Sequence, residues 1–225
     1  MKRIGMLVAV EMDSVLSRYA TAGERLEYPG YTVLTYRNDD YTLYVLESGA
    51  GQIAAAAGVQ FLISVLQVEM IVNFGVVGGL TPEMAQTKTC IVDRVVHYEF
   101  DTSPIDNCEV GRYMNYPDIY LPATPALVKR ALEIDPTLKV VTCASGDKFV
   151  DTAERKAALH EQFHADICEM EAAAVVLTCN RNNVPCLLIK TVSDGLCGGA
   201  EEFTTGLFRT SEICLELTDR LIREL

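Results

Sequence analysis

The chain opens on a short apolar run, Ile4–Val10, that stops at Glu11 and Asp13, and runs of the same kind recur to the end. A continuous apolar stretch too short for a helix reads as a strand covered on both faces, the pattern of a parallel sheet. On this basis Ile4–Val10, Met70–Phe74, Cys90–Phe100, Lys139–Ala144 and Cys186–Val192 are expected strands. Thr32–Tyr36 and Thr42–Ser48 read as the arms of a hairpin joined through Arg37-Asn38-Asp39-Asp40, a tetrapeptide of turn formers. Helical spacing appears in Gly51–Gln67, Pro125–Ile134, Asp151–Gln162 and Glu169–Asn180, with Thr124 placed as N-cap and Pro125 at the first helical position. The tail from Phe203 to Leu225 is amphipathic, with Ile213, Leu217, Leu221 and Leu225 on one face. Ser103–Pro125 is the longest irregular stretch and is expected to be a lid or an interface loop.

Strands alternating with helices predict an α/β fold with a central, twisted, mostly parallel or mixed sheet flanked by helices. A length of 225 residues fits one domain spanning residues 1–225, and 49% hydrophobic residues allow a large core. The net charge of −12, with 19 scattered basic residues, argues against nucleic acid as a partner. No stretch reaches the ~20 apolar residues of a membrane helix, so no membrane partner is expected. Eight cysteines form no C-x-x-C pair and only three histidines are present to complete a metal site, so no metal is expected, and no other cofactor is implied. Cysteines inside apolar runs read as reduced, buried thiols, which places the chain in the cytoplasm.

Ligands of such sheets bind beyond the carboxyl ends of the strands. Four strand ends carry polar or glycine-rich continuations: Val10-Glu11-Met12-Asp13, Ser48-Gly49-Ala50-Gly51, Phe74-Gly75-Val76-Val77-Gly78-Gly79 and Thr191-Val192-Ser193-Asp194-Gly195. Each has a plainer explanation, since glycine after a strand makes turns and acids after a strand cap helices. Their convergence on one rim favours a site. Neither glycine run fits a dinucleotide or P-loop fingerprint; here glycine would let a flat ligand approach the backbone. In Cys168-Glu169-Met170-Glu171, two residues apart on a helix start, one acid would meet the helix end while the other enters the site.

Taken in order, Ser145-Gly146-Asp147-Lys148-Phe149, Glu169-Met170-Glu171-Ala172 and Thr191-Val192-Ser193-Asp194 resemble the nucleoside phosphorylase/nucleosidase superfamily. Asn73–Leu80 and Ser48–Gly51 extend the resemblance, which runs from about residue 3 to about residue 205. Its 5′-methylthioadenosine/S-adenosylhomocysteine nucleosidases are the nearest in look. The resemblance implies a purine nucleoside as substrate, Asp194 with Ser193 beside it as the acid at purine N7, and Glu171 on the ribose hydroxyls. It also implies Met170 against the ribose, Phe149 stacked on the base, main-chain contacts from Val150, and Asp13, or Glu11 in its place, activating water. Glu169, Gly78, Ala50 and Val76 would complete the binding site, with Tyr98 or Phe100 of a neighbouring copy closing its 5′ end. In the family a Glu is usual where Asp13 stands, a small hydroxyl residue where Val76 stands, and Arg where Lys190 stands. A homodimer is implied for a nucleosidase and a hexamer for a phosphorylase.

Three activities stay open at this point. Glu11 and Asp13 after the first strand, with Asn73 in place of an Arg, disfavour a phosphate dianion and favour hydrolysis. A phosphorylase would need an Arg from a neighbouring copy, such as Arg37 or Arg112. A nucleoside-binding protein without activity is the third.

Overall fold

The apolar runs become the inner strands of one ten-stranded sheet in the computed structural model, which describes residues 1–19 and 23–225. β1 (Lys2–Val8) lies between β4 (Tyr41–Glu47) and β5 (Met70–Gly79) and is parallel to both. β10 (Cys186–Asp194) is parallel to β5 on its other side. All ten residues of β5 and all nine of β10 are buried, which explains why neither alternates polar with apolar positions.

Beyond β10 the sheet curls. β6 (Thr89–His97) pairs antiparallel to β10 and parallel to β8 (Lys139–Ser145), and β8 pairs with β9 (Ile167–Glu169). β9 then returns to Gly78 and Gly79 of β5, so β5, β10, β6, β8 and β9 close a ring. On the far side β2 (Glu24–Tyr28), β3 (Tyr31–Arg37) and β4 form an antiparallel extension. β7 (Tyr120–Pro122) pairs with β6.

Helices cover this sheet. α1 (Met12–Tyr19) packs on α7 (Ala200–Glu224), which lies on β5 and β10, while α2 (Gln52–Ser64) packs on β1, β4 and α6 (Ala172–Asn182). α4 (Pro125–Ile134) lies near β6, and α3 (Ser103–Asp106) and α5 (Ala153–Phe163) complete the set. Among the described residues no helix is long and apolar enough to cross a membrane.

The hairpin and helix expectations hold within a few residues, and the departures have local causes. The glycine run 75–79 continues β5 and is not a turn after it. Gly79 is needed for space, since a Cβ there would overlap the Met84 carbonyl oxygen. The helix expected from Glu169 starts at Ala172, because Ile167–Glu169 is taken into the ring as β9. Thr124 takes the N-cap position of α4, but its hydroxyl makes no cap bond and instead accepts the Cys186 N–H at 2.9 Å, tying the helix to β10. The buried stripe of α7 runs through Thr210, Cys214, Thr218 and Leu221, rotated from the expected one, with Ile213 and Leu217 half-buried. Tyr113 and Tyr116 of the irregular stretch pack against the core, and Phe100 stacks on Tyr113 at 4.1 Å. Six of the eight cysteines are buried, and all eight are unpaired.

The closure of the ring at Gly79 is open to test. Gly79→Ala is expected to destabilise the fold by about 2 kcal/mol or more. Gly195→Ala, where an added Cβ meets nothing within 4 Å, should stay within about 0.5 kcal/mol in urea unfolding. Equal midpoints for the two variants would contradict the tight approach.

Candidate active site

Because β1, β4, β5 and β10 run parallel, their carboxyl ends open on one rim, and a cavity of about 280 Å³ lies there. It is lined by Glu11, Ala50, Val76, Gly78, Phe149, Val150, Glu169, Met170, Glu171, Ser193 and Asp194. Those are eleven of the twelve site residues expected from sequence. The twelfth, Asp13, is not in the lining. The chain turns at Glu11 and enters α1 at Met12, so Asp13 falls on the first helical turn and is exposed. No residue of the 103–125 stretch of the same chain lines the cavity. A wider groove of about 590 Å³ along α7 holds charges that already pair with each other, Arg18 with Asp219 and Arg220 with Asp135.

Glu11 is fixed by main chain. Its Oε2 accepts the Val10 N–H and its Oε1 the Val76 N–H, both at 2.9 Å. Gly75 makes room for it: a Cβ there would lie 2.7 Å from Oε1.

Glu169 and Glu171 divide their tasks. Glu169 ends β9 and turns back, accepting the N–H groups of Glu171 and Ala172 at 2.8–3.0 Å, and so caps α6 from outside. Its carboxylate also meets Lys190 Nζ at 3.3 Å, with both side chains buried. Glu171 is the N-cap residue of α6, and its Oε1 accepts the Gly51 N–H at 2.7 Å. It thus sits at the N-terminal ends of α2 and α6, where helix dipoles favour an anion. Gly51, with φ of 100°, holds a backbone conformation that an L side chain would strain.

A buried amide bridge secures this corner. Gln52 donates to Ser145 Oγ at 2.8 Å and accepts from the Ala174 N–H at 2.8 Å, while Ser145 Oγ accepts the Ala173 N–H at 3.0 Å. The starts of α2 and α6 and the end of β8 are therefore locked together.

Burial, then the Glu169 charge beside it, push the Glu171 carboxyl up to about 7, against the opposing pull of Lys190 and the Gly51 N–H. For Lys190 burial works to lower the pKa, but Glu169, Glu171 and Glu11 outweigh it and hold the ammonium above its ordinary value. Cys168 also borders the cavity, but burial pushes its thiol up to about 12, so it offers no thiolate nucleophile at neutral pH.

Asp194 ends β10, opposite Gly78, just after an irregularity in the pairing between Val192 and Asp194. Such a bulge re-aims the next side chain. Ser193 Oγ donates to Asp194 Oδ1 at 2.7 Å, and Lys156 Nζ donates to Oδ2 at 2.6 Å. Phe149, at the mouth and 40% exposed, meets Phe203 edge to face at 5.3 Å. The two rings form an aromatic wall suited to a flat heterocycle.

Sequence reasoning missed Lys156 and Phe203 and gave Lys190 no role. Lys156 lies in the charged stretch Glu154-Arg155-Lys156, where nothing marks one Lys as buried. The aromatic at Phe203, facing Phe149 only through the ring of strands, had no local signal.

Comparison with known proteins places this geometry in context. The chain matches the phosphorylase superfamily over residues 4–223. It is 29% identical over 198 residues to the 5′-methylthioadenosine/S-adenosylhomocysteine nucleosidase of Haemophilus ducreyi, covering 85% of this chain and 84% of that one. The nucleosidase of the same name from Hydrogenovibrio crunogenus is 29% identical over 199 residues, covering 85% of each chain. Among solved structures, a mutant Helicobacter pylori nucleosidase with 5′-methylthioadenosine in the active site superposes with a TM-score of 0.93 at 23% identity, over 100% of both chains. A futalosine hydrolase mutant of the same species gives 0.92 at 23% identity, also over 100% of both chains. At that identity the two structures establish the fold alone.

The raised Glu171 carboxyl has a consequence for stability. With a folded value near 7, above its unfolded value, the group's contribution is fully present below the unfolded value and is lost as pH rises through about 7. Glu171→Gln removes that loss and should raise Tm by about 3 °C or more at pH 8, with little change at pH 5. A lower Tm at pH 8 would contradict the assignment of a strained, buried carboxylate.

Proposed function

The chain belongs to the phosphorylase superfamily, and on that premise we propose that it hydrolyses the N-glycosidic bond of purine nucleosides, with 5′-methylthioadenosine and S-adenosylhomocysteine as substrates. The observation that carries the choice of water over phosphate is the seat of Glu11. Its carboxylate already takes the Val10 and Val76 N–H groups, the main-chain donors an anion would need, and brings negative charge in their place. Among the described residues the lining has one cation, Lys148, whose ammonium pairs with Glu99 at 2.6 Å. A phosphate dianion would find carboxylates and no Arg fork.

In this reading the purine lies against Phe149 and Phe203, with its edge on the Val150 main chain and N7 toward Asp194. Asp194 gives a proton to N7 as the C1′–N9 bond breaks and its electron pair moves into the purine. The ribose becomes cationic at C1′. Glu171 accepts hydrogen bonds from the ribose hydroxyls, and its charge favours the cationic sugar, while Met170 packs against the ring. Water adds to C1′ and loses a proton to Glu11. The proton gained by Glu11 and the one lost by Asp194 balance through solvent, leaving free purine and free pentose. Ala50, with Tyr98 or Phe100 of a neighbouring copy, gives the 5′ end an apolar surface suited to an alkylthio group, while Val76 lies beside Glu11.

We infer a homodimer as the working form, since Ile53, Ile105 and Met114 leave large apolar side chains 66–85% exposed on the single chain. The eight unpaired thiols fit a reducing, cytoplasmic compartment.

Base release from 5′-methylthioadenosine tests the assignments. Asp194→Asn should abolish turnover while sparing binding, and Glu11→Gln should lower kcat by about 10²–10⁴-fold. Asp13→Asn should stay within about twofold of wild type. The opposite order for Glu11 and Asp13 would move the water-activating role to α1. Because the Glu171 anion forms only as pH passes about 7, kcat/KM should rise through that pH, and Glu171→Gln should lose this limb. A pH limb unchanged in that variant would remove Glu171 from the ribose.

A further inference from the structure

We infer that Lys156 is a positioning residue for the glycosidic cleavage proposed above, holding the Asp194 carboxylate and the turn that leads to Phe203 in one geometry. Lys156 projects from α5, is fully buried and does not line the cavity. An ammonium has three protons to donate. Lys156 Nζ has three close acceptors: Asp194 Oδ2 at 2.6 Å, the Gly195 carbonyl at 2.7 Å and the Gly198 carbonyl at 3.0 Å, with the Asp194 carbonyl at 3.4 Å. The match leaves no proton free for a ligand, so its effect must pass through the groups it holds.

Of the groups it holds, Asp194 lines the cavity, and a turn leads to Phe203, which lines it too. A carboxylate offers about two acceptor positions on each oxygen. Lys156 fills one on Oδ2 and Ser193 fills one on Oδ1, so the plane of the carboxylate is set and one position on each oxygen stays free for a ligand. The other group is the turn Gly195–Gly199. Its carbonyls are pinned by the same ammonium, and it leads directly into the first turn of α7, which carries Phe203. One buried cation therefore couples the proton donor to one side of the aromatic wall.

A plain structural role, in which Lys156 merely satisfies buried carbonyls, makes a different prediction. Removing a scaffold residue scales the rate by one factor at every pH. Removing the cation beside Asp194 makes ionisation of a buried carboxyl harder, and so moves a limb of the pH profile. Beside Asp194 lie also Cys168 from β9 and Ser193 of its own strand, and Glu202 from α7 accepts the Gly195 N–H at 3.1 Å; the cation of the cavity lining, Lys148, is paired with Glu99. Cys168, Ser193 and Glu202 carry no positive charge and Lys148 is engaged by Glu99, so the ammonium in contact with Asp194 is that of Lys156.

The test is the pH profile of kcat/KM for adenine release from 5′-methylthioadenosine in wild type, Lys156→Met and Lys156→Gln, beside thermal melts of Lys156→Met, Asp194→Asn and the double variant. Lys156→Met should lower kcat/KM by about 10²-fold at neutral pH and shift the limb set by the acid upward by about one pH unit or more. Lys156→Gln, which keeps a hydrogen-bond donor without the charge, should show the same shift with a smaller loss. The double variant, free of the unpaired buried carboxylate, should melt above Lys156→Met. If Lys156→Met does not fold, Lys156→Gln supplies the profile. Profiles of unchanged shape in the variants, or a double variant no more stable than Lys156→Met, would overturn the inference. A wild type that releases no base would instead overturn the nucleosidase reading on which it rests.

Discussion

Four carboxylates, Glu11, Glu169, Glu171 and Asp194, are buried at the carboxyl end of the sheet with two ammonium groups, Lys156 and Lys190, among them. Charges about 4 Å apart interact by about 4 kcal/mol at an effective dielectric of 20, and leaving one partner of a buried pair alone costs about 3–5 kcal/mol. The fold tolerates this cluster only because each lysine meets an acid: Lys190 meets Glu169, and Lys156 meets Asp194. Glu11 and Glu171 are held instead by main-chain N–H groups. Acids thus exceed cations in the site. That excess suits a sugar that turns cationic and opposes a phosphate dianion.

The backbone builds this arrangement in a few places. The chain turns at Glu11 before α1, the bulge of β10 swings Asp194 toward Gly78, and β9 closes the ring so that Glu169 and Glu171 reach the same rim. Gln52 and Ser145 then lock the ends of three elements with buried hydrogen bonds. The cost is borne by Glu171, whose carboxyl is pushed up to about 7 without an ammonium in contact. Stability given up at a site of this kind is what a functional constraint would select.

Much of this was legible in the sequence, for reasons that can be stated. Continuous apolar runs mark strands buried on both faces, so β1, β5, β8 and β10 were readable, as was the rim where they end. Glu171, Phe149 and Asp194 belong to local motifs that survive without knowledge of the fold. What escaped depends on long-range packing. β2 is charged and lies at an edge, β9 is three residues long and exists only through its partners β5 and β8, and the burial of Lys156 follows from ring closure. Which of Glu11 and Asp13 lines the cavity turned on the residue at which α1 begins, and boundaries are what periodicity fixes least well.

The central claim, that water and not phosphate attacks the sugar, is most directly tested by running base release from 5′-methylthioadenosine in ¹⁸O-labelled water with phosphate present. The account predicts free methylthiopentose carrying the label at C1 and no pentose 1-phosphate. A pentose 1-phosphate product without the label would contradict it and would require an anion-binding group at the rim that Glu11 now occupies.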